Sequence, residues 1–346
     1  MQPQIRSAAL EGYREICASL GVDPIAMMQA EGLDPTCLND PDRRVAVDSL
    51  VRLFERTAQV ANAPDLGLRL AAARPFSIMG PLSLAARDEP TVRGAFQVMI
   101  RYLHVHNEGV HIRMSEADGM ATVDFILTHG KPMAVPVSSE TAVAVTAKIL
   151  KAFIGSSWTP IRVLFEHDAP KDIRPHRQFF GCPVKFSQFG TALHIRSADL
   201  DLPNRMSDAG LAPYGRRYLK ELVESADVTL ADRVGHLIRL EISSGRCSVQ
   251  RVAQSLGVTR RTLHRQLAEE QTTYSELFTS VRKELALRYV VHTNRSLHEI
   301  AEVLGYSELS AFSRWYKKQF GVCPSASREH AESSPASSVS RASKSA

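Results

Sequence analysis

The chain has 346 residues, 44% of them hydrophobic and 23% charged, with a formal net charge of +5 at pH 7. That length supplies two cores and excludes a disordered or fibrous protein. No run approaches the roughly 18 apolar residues that a membrane span requires.

The start, MQPQIRSAALEGYREI, lacks the apolar core of a signal peptide. Cys17, Cys37, Cys182, Cys247 and Cys323 are odd in number, scattered and free of any CxxC. They read as reduced thiols in a cytoplasmic protein, with no disulfide frame and no zinc site. Charge is uneven: residues 227–330 hold 15 Lys+Arg against 11 Asp+Glu, so nearly all the positive excess lies there. A mild basic bias permits a polyanionic partner.

In chain order, apolar spacing predicts helices over 5–20, 47–62 and 65–73. Val47, Leu50, Val51, Phe54, Ala58 and Ala61 share one face of the second. A further helix is expected over 91–105, with Pro90 at its start. The period then changes to two: VHIRMS and ATVDFIL, joined by EADG, predict a hairpin. Residues 138–155 read as a long helix, capped by Ser138 or Ser139 and closed by Gly155. A strand over 161–167 and a short helix or turn over 171–181 follow, and 183–187 with 191–197 suggest a second hairpin. The first domain, 1–200, is thus expected to be α+β with a mostly antiparallel sheet. The pattern loosens over 201–226, read as a linker with a helix near 214–225. Residues 227–330 read as all-α, and the Ser/Ala-rich tail 331–346 as disordered.

Two segments of the all-α half resemble each other: VAQSLGVTRRTLHRQLAEE (252–270) and IAEVLGYSELSAFSRWYKKQFG (300–321). Each starts with a short helix ending in Leu-Gly, Leu256-Gly257 or Leu304-Gly305, where glycine allows a sharp turn. Thr259 and Ser307 follow as expected caps of the next helix. Ser296 with Glu299 has the spacing of a capping box. The next helix carries Leu263-x-Arg265-x-Leu267 or Phe312-x-Arg314-x-Tyr316. This is helix-turn-helix chemistry: apolar residues lock two helices together and free the second to enter a major groove of duplex DNA. Arg260, Arg261, Thr262, His264 and Arg265 form its expected outer face. In the second unit that face is Glu308, Leu309, Ser310, Ser313, Arg314 and Lys317, with Lys318 beyond. Between the units, Phe278, Val281, Leu285, Leu287 and Val290 predict a long connecting helix. At about 18 residues it would span about 27 Å, close to one turn of DNA.

Over about 228–328, and above all in GYSELSAFSRWYKKQFGVCPSASR, the chain resembles the AraC/XylS-type transcription regulators. The resemblance implies two helix-turn-helix units joined by a long helix. It implies base contacts from Arg260, Arg261, His264 and Arg265 in the first unit, and from Leu309, Ser310, Ser313 and Arg314 in the second. Phosphate contacts fall to Thr259, Ser307, Lys317 and Lys318. Two departures, Cys323 before Pro324 and Leu309 in place of a polar reader, point to a second unit that holds mainly the backbone. The stretch from LGVDPIAMMQAEG onward, with FSIMGPLSLAARDEPTVRGAF, VLFEHDAPKD and FFGCPVKF, is similar to the arabinose-binding-like amino-terminal domain of one branch. That implies a small-molecule effector, with RNA polymerase and a second copy of the chain as further partners, and activation as the outcome.

Several residues of the first domain are candidates for the effector. Arg101 and Arg113 suit an acidic group. Phe76, Ile78, Met79 and Met99 suit an apolar pocket. The commoner role of such residues is ordinary surface charge and core. His104, His106 and His111 lie close in sequence but lack a completing ligand, so no metal site is assigned. No GxSxG, GxxxxGK[ST], HExxH or GxGxxG is present, so neither an enzyme nor a cofactor is implied. An enzyme or metal module tethered to a DNA-binding tail, and a purely architectural helical protein, remain as alternatives.

Overall fold

A computed structural model describes residues 3–128, 135–207, 217, 229–242, 247–293 and 295–333. The chain divides into two compact units, Met1–Asp227 and Val228–Ala346. The helix expected near 214–225 and most of the tail 331–346 lie outside the described residues.

The first unit opens with β1 (Gln4–Arg6), α1 (Tyr13–Ser19), α2 (Pro24–Ala30) and β2 (Arg44–Ala46). Next come α3 (Val47–Val60), α4 (Leu66–Ala73), α5 (Pro81–Arg87) and α6 (Val92–His106). The remainder is β3 (Val110–Ala117), β4 (Met120–Leu127), α7 (Pro136–Ile154), β5 (Arg162–Leu164), α8 (Arg174–Phe180), β6 (Val184–Lys185), β7 (Thr191–Arg196) and α9 (Ser197–Leu200). A five-stranded sheet in the order β3-β4-β7-β5-β6 carries α7 against it. All its pairings but β5–β6 are antiparallel. The β3–β4 hairpin pairs Val110 with Leu127 and turns at Asp118-Gly119, both at positive φ.

Four expectations are corrected. The helix predicted over 5–20 is broken: Ile5 pairs with Val45, and Gly12 sits at φ +76° where a Cβ would meet that of Ala73 at 2.6 Å. The helix expected after Pro90 is capped by Thr91, whose hydroxyl accepts the Gly94 N–H at 3.1 Å. The second predicted hairpin does not form: β5 lies between β6 and β7, and β6 pairs with it in parallel. Nor do Ser138 and Ser139 cap α7. The Glu55 carboxylate of α3 accepts the Ser138 and Val137 N–H groups at 3.1 and 3.4 Å instead. Burial pushes the Glu55 carboxyl up to about 8.

Two buried polar contacts pin the unit together. His176 of α8 and Glu140 of α7 meet at 2.7 Å, both almost wholly enclosed. Asn204, also buried, donates its amide to the Arg87 and Glu89 carbonyls at 2.7 and 2.9 Å, closing the chain over the end of α5.

The described residues of the second unit form α10 (Leu230–Ile242), α11 (Val249–Ser255), α12 (Arg260–Glu269), α13 (Tyr274–His292), α14 (Leu297–Val303), α15 (Leu309–Phe320) and α16 (Pro324–Ser333), with no strand. The connecting helix α13 has 19 residues, about 28 Å of rise. Thr273 and Glu276 start it with a capping box. Its buried stripe is Val281, Leu285, Ala286, Tyr289 and Val290, with Phe278 and Leu287 half-buried at the edge.

Asn204→Ala strands the Arg87 and Glu89 carbonyls without their donor and should cost about 2 kcal/mol. Calorimetry of the purified variant checks this, and a fall in the first unit's melting temperature below about 1 °C would contradict it.

Candidate nucleic-acid interface and effector cavity

Helix α12 is built by local rules. Gly257 sits at φ +70° after α11, and the Thr259 hydroxyl accepts the Thr262 N–H at 3.1 Å to start the next helix. Leu263 and Leu267, four apart, are fully buried under α11. The opposite face therefore looks outward, and Arg260, Arg261, His264 and Arg265 are all exposed. Arg260 Nε lies 3.4 Å from His264 Nε2. Its first turn holds two arginines and no acidic residue. Cations there oppose the helix dipole, at about 0.3–1 kcal/mol each. The same helix end is favourable once a phosphate is present.

The second unit repeats the plan with one change. Gly305 sits at φ +79° and Ser296 with Glu299 forms the predicted capping box. The cap of α15 is Glu308, without a side-chain hydrogen bond, so the cap predicted at Ser307 is corrected by one residue. Ser307 is exposed just before it. Phe312 and Tyr316 are fully buried, in ring contact with Tyr306 and Phe320. Ser310, Arg314, Lys317 and Lys318 are exposed, while Leu309 and Ser313 are half-buried. Both lysines lie in the last turn, where the helix dipole favours them.

Four other basic residues of this unit meet partners within it. Arg239 pairs with Glu284 at 3.1 Å and Arg251 with Glu241 at 3.2 Å. Arg282 lies between the Phe278 and Tyr306 rings, 4.3 and 4.7 Å from their centroids. Arg328 of α16 donates to the Val290 and Arg295 carbonyls at 3.0 and 2.7 Å. Among the described residues of this unit the exposed Lys and Arg side chains are Arg233, Arg251 and six on α12 and α15.

The first unit holds a partly open cavity of about 120 Å³ between α3, α6, α7 and the β3–β4 hairpin. Met79 and Met99 line it as expected, but Phe76 packs edge-on against Phe153 instead. Arg113 is paired with Asp124 across the hairpin at 2.7 Å, and Arg101 is exposed, lying over the Tyr102 ring. The cation that does line the cavity is Arg74, which the sequence reading passed over. Nothing in AARPFSIMG marks it as internal. His106 also lines the wall; burial, with Arg6 and Arg74 near, lowers it to about 3 and keeps it neutral. Among the described residues no His, Cys, Asp or Glu group is arranged to hold a metal, and no helix is long and apolar enough to cross a membrane.

A helical domain that turns two arginine-bearing helices outward, attached to an α+β domain with an internal cavity, is the architecture of a helix-turn-helix transcription regulator. The chain belongs to the AraC family. Residues 21–204 match the family model described as the arabinose-binding domain of AraC transcription regulator, N-term, and residues 252–330 match a helix-turn-helix domain. It is 29% identical over 323 residues to the HTH-type transcriptional regulator VirS of Mycobacterium tuberculosis, covering 92% of this chain and 95% of that one. It is 26% identical over 324 residues to the ornithine utilization regulator of Pseudomonas aeruginosa, covering 93% and 95%. Transcriptional activator NphR of Rhodococcus is 30% identical over 143 residues, 41% of each chain. Among solved structures, transcriptional regulator CdpR of P. aeruginosa aligns over 88% of this chain and 96% of its own at 20% identity, with a TM-score of 0.44. The protein is therefore an HTH-type, DNA-binding transcription regulator with an amino-terminal effector-binding domain.

His106 gives a pH prediction. Its folded pKa lies below the ordinary 6.5, so the stability it lends is complete above 6.5 and is lost as pH falls towards about 3. His106→Gln should lose less stability than wild type between about pH 6.5 and 4.5 in parallel thermal melts. Identical slopes would show that His106 is not buried as a neutral group.

Proposed function

We propose that α12 and α15 enter adjacent major grooves of one DNA site and that the first unit adjusts this binding when an effector occupies its cavity. The exposed arginines in the first turn of α12, placed against the helix dipole, carry the reading. Arg260, Arg261, His264 and Arg265 contact base edges. Leu309, Ser310, Ser313 and Arg314 face the second groove, with less reach because Leu309 and Ser313 are half-buried. Thr259, Ser307, Lys317 and Lys318 hold phosphates. The domain frame is an effector domain over 1–200, a linker over 201–226, a DNA-binding domain over 227–330 and a tail beyond. The regulator acts in the cytoplasm as an activator that works with RNA polymerase and binds DNA as a homodimer. The relative named as a transcriptional activator supports the activating outcome.

A gel shift against the DNA upstream of the protein's own gene tests the reading. Arg261→Ala and Arg265→Ala should each weaken cognate binding by about 1–3 kcal/mol and relax sequence preference. Lys317→Ala should weaken all sequences alike and lower the salt slope by about one. Wild-type affinity in both arginine variants would refute the base-contact roles.

A further inference from the structure

The cavity of the first unit holds an imbalance that its own residues leave unresolved. Its walls are largely hydrocarbon, yet Arg74 reaches it while only 7% exposed. No Asp or Glu among the described residues lines the space. Among the described residues, Arg74 Nη2 donates to the Ala9 carbonyl, the guanidinium lies 5.6 Å from the Phe54 ring centroid, and Nε has no acceptor. Thr128, also on the wall, has a buried hydroxyl without a partner. Burial lowers Arg74 only to about 10, so it is a cation at neutral pH. His106 beside it is neutral and supplies no counter-charge. A buried cation without an anion is costly, and an incoming carboxylate relieves that cost.

We propose that this cavity takes a compact monocarboxylate, its carboxylate on Arg74 and the Thr128 hydroxyl and its uncharged aryl or short alkyl body against Leu50, Met99 and Val145. A void of about 150 Å³ accommodates benzene, so a space of about 120 Å³ suits a single ring or a short chain of about six carbons. An amino acid is a poor fit, because its ammonium group finds no carboxylate on these walls. The inference rests on the cavity being the effector site and adds the chemical class of the effector.

Calorimetric titration of the full chain at constant ionic strength tests it, with benzoate and hexanoate set against benzyl alcohol, 1-hexanol and L-leucine. Each acid should bind on the order of 10- to 100-fold more tightly than its alcohol, and L-leucine should show no binding. Arg74→Met, which removes the buried charge and with it the donor to the Ala9 carbonyl, should lose the preference for acids while keeping the alcohols. Thr128→Val, nearly isosteric, should weaken the acids alone and stands as the second variant if Arg74→Met fails to fold. Equal binding of acid and alcohol to wild type, or an undiminished preference in Arg74→Met, would overturn the carboxylate assignment and leave the cavity as an effector site. Failure of all five probes would overturn it as well. In that event Ala142→Phe, which fills the cavity, decides the broader reading: unchanged promoter response in that variant would end the effector role too.

Discussion

The burial of Leu263 and Leu267 against α11 fixes the rotational setting of α12, and the outward arginines follow from it. A helix with two apolar residues four apart can bury only one face. Once the turn at Gly257 brings it against its neighbour, residues 260, 261, 264 and 265 have no route inward. Phe312 and Tyr316 impose the same setting on α15, with aromatic rings in place of leucines. The outward, basic face is thus what remains after the core is satisfied, and its chemistry is free to vary without disturbing the fold.

The first unit shows the converse arrangement, in which polar groups are drawn inside. Glu55 takes over the start of α7, Glu140 holds His176, and Arg74 reaches the cavity wall. Glu55 is met by two backbone N–H groups and Glu140 by His176, although Glu140 Oε2 and His176 Nδ1 have no further partner among the described residues. Arg74 is likewise satisfied only in part, but of these groups it alone lines the cavity. A void left by poor packing would be lined by hydrocarbon alone and would carry no preference for charge.

Legibility in the sequence followed the range of the interactions. In the second unit almost every signal is local: a glycine at a turn, a hydroxyl three residues ahead of the N–H it accepts, apolar residues four apart. The helices and their outer faces were therefore readable from spacing. The displaced cap at Glu308 was the exception, because the extra residue in that turn admitted two starts. In the first unit the decisive contacts span large separations. Glu55 caps a helix that begins some eighty residues later, with separations of 82 and 83. The pairing of β6 with β5, not β7, depends on α8 crossing between them. Arg74 was invisible because an arginine is rarely internal. Arg113 was over-read because its partner Asp124 lies across a hairpin whose register the sequence alone did not specify.

Arg282 has a wider consequence. Its guanidinium lies against two rings, Phe278 on its own helix and Tyr306 in the second turn, and its Nη1 also reaches the Tyr306 hydroxyl at 3.3 Å. The link between α13 and the second unit is therefore a clamp and not a swivel. Clamped in this way, the turn that leads into α15 is tied to the connecting helix, so a shift of α13 carries the second unit's turn along with it.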